Sequence, residues 1–230
     1  MNADYWLERW KKDETAFNQD EVNPYLRQYW QELDLAPGSI VFVPLCGKSC
    51  DMSWLRDQGH KVLGVELSRL AVEAFFVENS LTPRRISGGK LDSYEAEGIR
   101  ILCGDFFDLV KEDIANISAV YDRGALIALP RETRERYVAH LLDILPASFA
   151  TQILLVTLDY PAAEMEGPPF AVSAGEVETL YHEYDEQASV RLLMQRDVLE
   201  ESPRFRERGL SRLLESIFLL KLNAGGKPGP

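Results

Sequence analysis

The chain has 230 residues, 46% of them hydrophobic and 27% charged, a composition that supports one packed core and excludes wholesale disorder. A formal net charge of −12 repels a phosphate backbone, so no nucleic-acid partner is expected. No apolar run approaches the ~20 residues that span a bilayer, Met1-Asn2-Ala3-Asp4 opens no export signal, and three cysteines suit a reducing compartment better than a disulfide framework. A cytoplasmic protein with no membrane partner is expected.

Near the start, Trp6 and Trp10 stand one helical turn apart, so on a helix both rings project from one face. They either pack on the body of the domain or form a lid over a ligand. The first strand is expected at Ser39-Ile40-Val41-Phe42-Val43-Pro44, introduced by the turn signal Pro37-Gly38. A loop, Leu45-Cys46-Gly47-Lys48-Ser49-Cys50, leads to a helix over 51–58, with Gly59 where a helix end needs a left-handed residue. Cys46 and Cys50 lack the His/Cys pattern of a zinc site, and no metal is expected.

Lys61 to Glu66 reads as a second strand ending in an acid, followed by Ser68 as an N-cap and an apolar helix through Phe75, Phe76 and Val77. Strand, helix, strand, helix in this order implies a parallel sheet with right-handed crossovers. The polar, turn-rich stretch from Ser80 to Gly98 reads as a surface excursion of low regularity. Strands follow at Ile99–Cys103, Ile117–Asp122 and Ile153–Leu158, and Leu129-Pro130 opens a helix carrying Tyr137, Leu141, Leu142 and Leu145. Asp159 to Phe170 is a Pro- and Gly-rich loop of the length active-site loops have. A short helix over Gly175–Tyr181 and two strands, Val190–Val198 and Leu213–Leu222, complete a doubly wound, mostly parallel seven-stranded α/β sheet with an antiparallel ribbon. Residues 224–230 have the composition of a flexible tail.

In such a sheet the ligand lies at the carboxyl ends of the strands. The first loop has one glycine, Gly47, where a dinucleotide site shows G-x-G-x-x-G, which weighs against NAD and for a nucleoside without phosphates. Glu66, roughly 20 residues on, has the position of an acceptor for ribose hydroxyls, or of a charge at a helix N-terminus. Gly104-Asp105-Phe106 either offers a polar edge and backbone N–H to adenine or is an ordinary turn with Phe106 in the core. Arg123 either grips a carboxylate or developing thiolate, or forms a structural ion pair with Asp122 or Asp105. The run Arg204, Arg206, Arg208, Arg212 is interleaved with Glu201, Glu207 and Glu215 and reads mainly as a solvated face.

These residues resemble the thiopurine S-methyltransferase family. The likeness rests on Trp6-Leu7-Glu8-Arg9-Trp10, Thr15-Ala16-Phe17-Asn18-Gln19, Pro44-Leu45-Cys46-Gly47-Lys48, Gly59-His60-Lys61-Val62-Leu63-Gly64-Val65-Glu66, Asp122-Arg123-Gly124-Ala125-Leu126 and Gly167-Pro168-Pro169-Phe170, in that order. The resemblance implies a class I methyltransferase of Rossmann-like fold, a bacterial-type member with one domain over 1–223. The N-terminal segment, about 1–35, would fold over S-adenosylmethionine as a lid. Trp10, Leu45, Glu66 and Arg123 match the cofactor positions, Asp105 and Phe106 the adenine side, and Phe17 a residue lining both pockets. Arg204 falls where the family has a second substrate-side arginine, with Arg206 the alternative. The expected activity is methyl transfer to the sulfur of aromatic or heterocyclic thiols such as thiopurines, or to selenium or tellurium species, by a monomer. Arg123 and Arg204 would serve as the catalytic cations. A noncatalytic nucleoside-binding module, or a nicotinamide oxidoreductase, is the alternative.

Overall fold

The computed structural model describes residues 3–15, 17–146 and 151–222. The expected tail, 224–230, lies outside them. Among the described residues nine strands hydrogen-bond in the order β3-β4-β5-β2-β1-β6-β7-β9-β8, and the chain gathers into two compact units, Met1–Tyr121 and Asp122–Pro230.

The first unit opens with α1 (Ala3–Lys11) and α2 (Pro24–Tyr29). It continues with β1 (Ile40–Val43), α3 (Asp51–Asp57), β2 (Lys61–Glu66) and α4 (Arg69–Glu78). The Asn23 carboxamide oxygen accepts the N–H groups of Tyr25 and Leu26, and Pro24 supplies the preset first turn of α2. β1 pairs in parallel with β2, and β2 with β5 (Ile99–Cys103). Val41, Phe42, Val65 and Ile101 are buried, as strands covered on both faces require. Helix ends follow the local chemistry: the Ser68 hydroxyl accepts the Ala71 N–H, and Gly59 turns left-handed at φ 89 just past α3.

The expected irregular excursion between Ser80 and Gly98 is instead an antiparallel hairpin of β3 (Arg84–Ile86) and β4 (Asp92–Ala96), set on β5. It raises the strand number from the expected seven to nine. Its outer pairs are ionic, Arg84–Glu95 at 2.8 Å and Arg85–Asp92 at 2.6 Å. A strand held this way lacks the alternating apolar pattern by which strands are read.

The chain crosses between the units within β6 (Ile117–Arg123). The second unit holds α5 (Ala125–Ala128), α6 (Arg131–Ile144), β7 (Gln152–Asp159), α7 (Ala174–Tyr184), β8 (Ser189–Asp197), α8 (Pro203–Glu207) and β9 (Leu214–Lys221). β9 pairs antiparallel with both β7 and β8, the expected ribbon. Tyr137, Val138, Leu141 and Ile144 bury one face of α6, and truncating one such leucine to alanine costs about 2–5 kcal/mol. Among the described residues no helix is long and apolar enough to cross a membrane.

Candidate active site

In the first unit the chain leaves β1 through a bent loop. Leu45 is left-handed at φ 47 and Gly47 at φ 53; the first is a backbone state that a residue with a Cβ adopts only at a cost of about 1–3 kcal/mol. The loop's N–H groups turn toward the end of β2. There Glu66, 7% exposed, accepts the Gly47 N–H at 2.9 Å through Oε2 and the Ser68 N–H at 2.7 Å through Oε1. Of the two readings of Glu66, the hydrogen bond from Ser68 shows the one at the helix N-terminus. Glu66 holds the entry to α4, and its two oxygens offer about four lone-pair sites, enough to accept further donors.

Burial pushes the Glu66 carboxyl up from its ordinary value, and the Ser68, Gly47 and Leu67 N–H groups oppose that push. Two thiols stand near its charge. Burial first, and Glu66 second, drive Cys46 well above the usual thiol range and Cys103 to about 11. Both thiols stay protonated at neutral pH, so neither is an activated nucleophile.

Trp10 lies directly over the loop. A Cβ added to Gly47 would stand 3.3 Å from the Trp10 ring, a tight contact that the indole would have to ease by a few tenths of an ångström. Phe17 meets Trp10 edge-on at 5.6 Å and Trp6 at 5.4 Å. α1 buries no residue, and Phe17 is 42% exposed. Trp10 thus covers the loop, and Phe17 backs it while keeping ring surface open. Lys48, the cation of the loop, is engaged by Glu78 at 2.5 Å, which leaves a pyrophosphate poorly served here.

At the end of β5 the Gly104 N–H donates to the Glu66 carbonyl at 2.9 Å. Asp105 is exposed and accepts the Phe107 N–H at 2.9 Å, whereas the Phe106 ring is buried at 5% exposure. The side chains thus follow the ordinary-turn reading, and the backbone of this turn is what stands beside Glu66. Beneath the loop, sequence reading missed Asp51, a buried acid accepting the Asn23 N–H at 2.8 Å and the Tyr121 hydroxyl at 3.0 Å. It ties the entry of α2 to β6. Its signal was an acid at a helix start, which is common everywhere.

In the second unit Arg123 ends β6, is half-buried, and precedes left-handed Gly124 at φ 97. Its neighbour Asp122 is fully buried and accepts the Leu126 N–H at 3.1 Å and the Tyr137 hydroxyl at 2.7 Å. Burial raises Asp122 to about 6, against the pull of these donors. Arg204 is exposed on α8. That segment is seated by Phe205 against a small core of Tyr160, Met165, Val198, Leu210 and Leu213. Arg206 pairs with Glu200 at 3.3 Å and Arg196 with Glu201 at 2.8 Å, as a solvated, acid-laced face would. Among the described residues no group of His, Cys, Asp and Glu could hold a metal ion.

Residues 1–223 match the family described as Thiopurine S-methyltransferase. A protein named thiopurine S-methyltransferase from Nitrosospira multiformis is 61% identical, over 96% of this chain and 98% of its own length. One of the same name from Azotobacter vinelandii is 50% identical, over 96% and 99%. The fold is similar to that of the 1,6-didemethyltoxoflavin-N1-methyltransferase of Burkholderia thailandensis, solved with 1,6-didemethyltoxoflavin and S-adenosylhomocysteine. The TM-score is 0.61 at 14% identity, over 96% of this chain and 87% of that one.

Proposed function

The chain belongs to the thiopurine S-methyltransferase family, and from that premise we propose that it methylates the sulfur of aromatic or heterocyclic thiols with S-adenosylmethionine as donor. The observation that carries the reading is the Glu66 carboxylate, buried, bonded to the Gly47 N–H and lying under the loop that Trp10 covers. This arrangement fits a nucleoside carrying a sulfonium: an acid with acceptor sites left for the ribose, an aromatic face for a cation, and no phosphate cradle.

S-adenosylmethionine, when bound, supplies an electrophilic methyl carbon on positively charged sulfur. Glu66 would hold the ribose, Leu45 and Trp10 would line the sulfonium side, and the turn at Asp105 and Phe106 would meet adenine through its backbone. Trp10 and Phe17 would attract the cationic sulfur and keep water from it, an interaction worth about 0.5–2 kcal/mol. Aromatic thiols ionise near neutrality, so a strong base is not needed. Arg123 and Arg204 orient the acceptor and steady the thiolate, with the planar guanidinium of Arg123 the more sheltered of the two. Arg204 is preferred to Arg206 because it falls where the family has its second substrate-side arginine. The same chemistry extends to selenium and tellurium nucleophiles. The protein acts in the cytoplasm as a monomer, with α1 and Phe17 serving as a lid.

A screen with methyl-labelled donor over thiols, selenols, phenols and amines tests the reading. Label in S-methyl products, with little in phenols or amines, is the expected result. Cofactor binding without any methylated product would assign the chain to nucleoside binding alone.

A further inference from the structure

α5 is four residues long, and a helix of one turn has no stability of its own. Its place is set by whatever holds its ends. At the leading end Asp122 accepts the Leu126 N–H with one oxygen and the Tyr137 hydroxyl with the other. At the trailing end Arg134, 3% exposed, donates from Nε to the Leu126 carbonyl at 3.3 Å and from Nη2 to the Leu129 carbonyl at 3.1 Å. The remaining arm of its fork pairs with Glu176 of α7. Tyr137 and Arg134 stand three residues apart on α6, on one face. Both ends of α5 are therefore gripped by the same strip of one helix.

What α5 carries makes this grip consequential. Arg123 and Gly124 lead directly into it. The Ile127 carbonyl accepts the Phe170 N–H at 2.7 Å, and the Tyr160 hydroxyl bonds the Pro169 carbonyl at 2.6 Å. The Pro-rich loop thus hangs from the middle of the same short helix. An Arg–Glu pair with its arginine buried and its glutamate half-buried is a poor source of stability, since the desolvation of the cation offsets most of the attraction. What the guanidinium adds is three directed donors in a fixed plane.

We propose that Arg134 and Tyr137 are positioning residues that hold α5 from α6 and so fix both the Arg123 turn and the Gly167–Phe170 loop for the acceptor. The inference rests on the reading of Arg123 given above. It predicts coupling: removing a grip matters for catalysis only while Arg123 is present to be positioned.

The experiment compares Tyr137→Phe, Arg134→Lys, Arg123→Gln and the Tyr137→Phe/Arg123→Gln double variant of the full chain, with thiophenol as acceptor and labelled S-adenosylmethionine. Tyr137→Phe and Arg134→Lys should each lower kcat/KM for the thiol by about tenfold at saturating cofactor. In the Arg123→Gln background, Tyr137→Phe should cost less than about twofold more. If both α6 variants lower Tm but leave kcat/KM intact, or if Tyr137→Phe costs the same in either background, the grip is structural and the proposal is wrong. If Arg123→Gln alone leaves kcat/KM unchanged, the reading of Arg123 falls, and the proposal with it.

Discussion

The loop after β1 and the α8 segment both carry residues assigned to ligands, and they are built in opposite ways. In the first, Trp10, Gly47 and Glu66 are joined by a close ring contact and a 2.9 Å hydrogen bond, and Glu66 is buried. In the second, Arg204 is exposed on a five-residue helix anchored mainly by Phe205. The contrast matches the tasks proposed for them. A donor that never changes rewards a preorganised site, whereas acceptors of varied shape are served by long cations on a short, solvated element.

The sharpest way to break this comparison is at Glu66. Glu66→Ala should weaken cofactor binding by about 1.5–3 kcal/mol, roughly ten- to hundredfold in Kd, as read by calorimetry on the folded variant. Unchanged affinity would remove the loop's claim to the donor. Arg204→Ala should do the reverse, raising KM for the thiol several-fold while cofactor Kd stays within about twofold. If both variants moved the same constant, the division between the two regions would be false.

A smaller effect is expected at Gly47. Alanine there meets Trp10 at 3.3 Å and must hold φ 53, a strain of about 1–2 kcal/mol. It should lower Tm modestly and raise cofactor Kd a few-fold. A rise in Tm would show that Trp10 does not press on this loop in solution.

The last effect concerns pH. The folded state raises Asp122 to about 6 from an ordinary 3.8, so it binds this proton where the unfolded chain has released it. The resulting stability is full below the ordinary value and is lost as pH rises through about 6. Asp122→Asn has no such loss. The Tm difference between variant and parent should therefore shift in the variant's favour between pH 4 and 7, and a flat difference would mean Asp122 is not desolvated.

How much of this was legible depended on whether polarity followed position. The central strands were readable because apolar runs such as Ile40–Val43 end at turn signals, and Glu66 was readable because it closes one of them. The hairpin at Arg84–Ala96 was not, since its strands are held by ion pairs. α2 carried a readable signal, Asn23 before Pro24, that went unused. Arg134 would be placed in solvent by any hydrophobic pattern, yet it is buried because α5 presents two carbonyls to it. Nor does sequence reveal that Leu45 is left-handed, because that follows from the loop's need to aim Gly47 at Glu66.

The proposal that two arginines steady the acceptor thiolate is tested most directly with para-substituted thiophenols, assayed from pH 6 to 9. Labelled S-methyl product would be measured for the parent, Arg123→Lys and Arg204→Ala. The account predicts S-methylation of the whole series by the parent. It also predicts losses in both variants that grow with acceptor pKa, because the less acidic thiols depend more on the cation. Equal losses across the series, or no S-methyl product from any member, would contradict it.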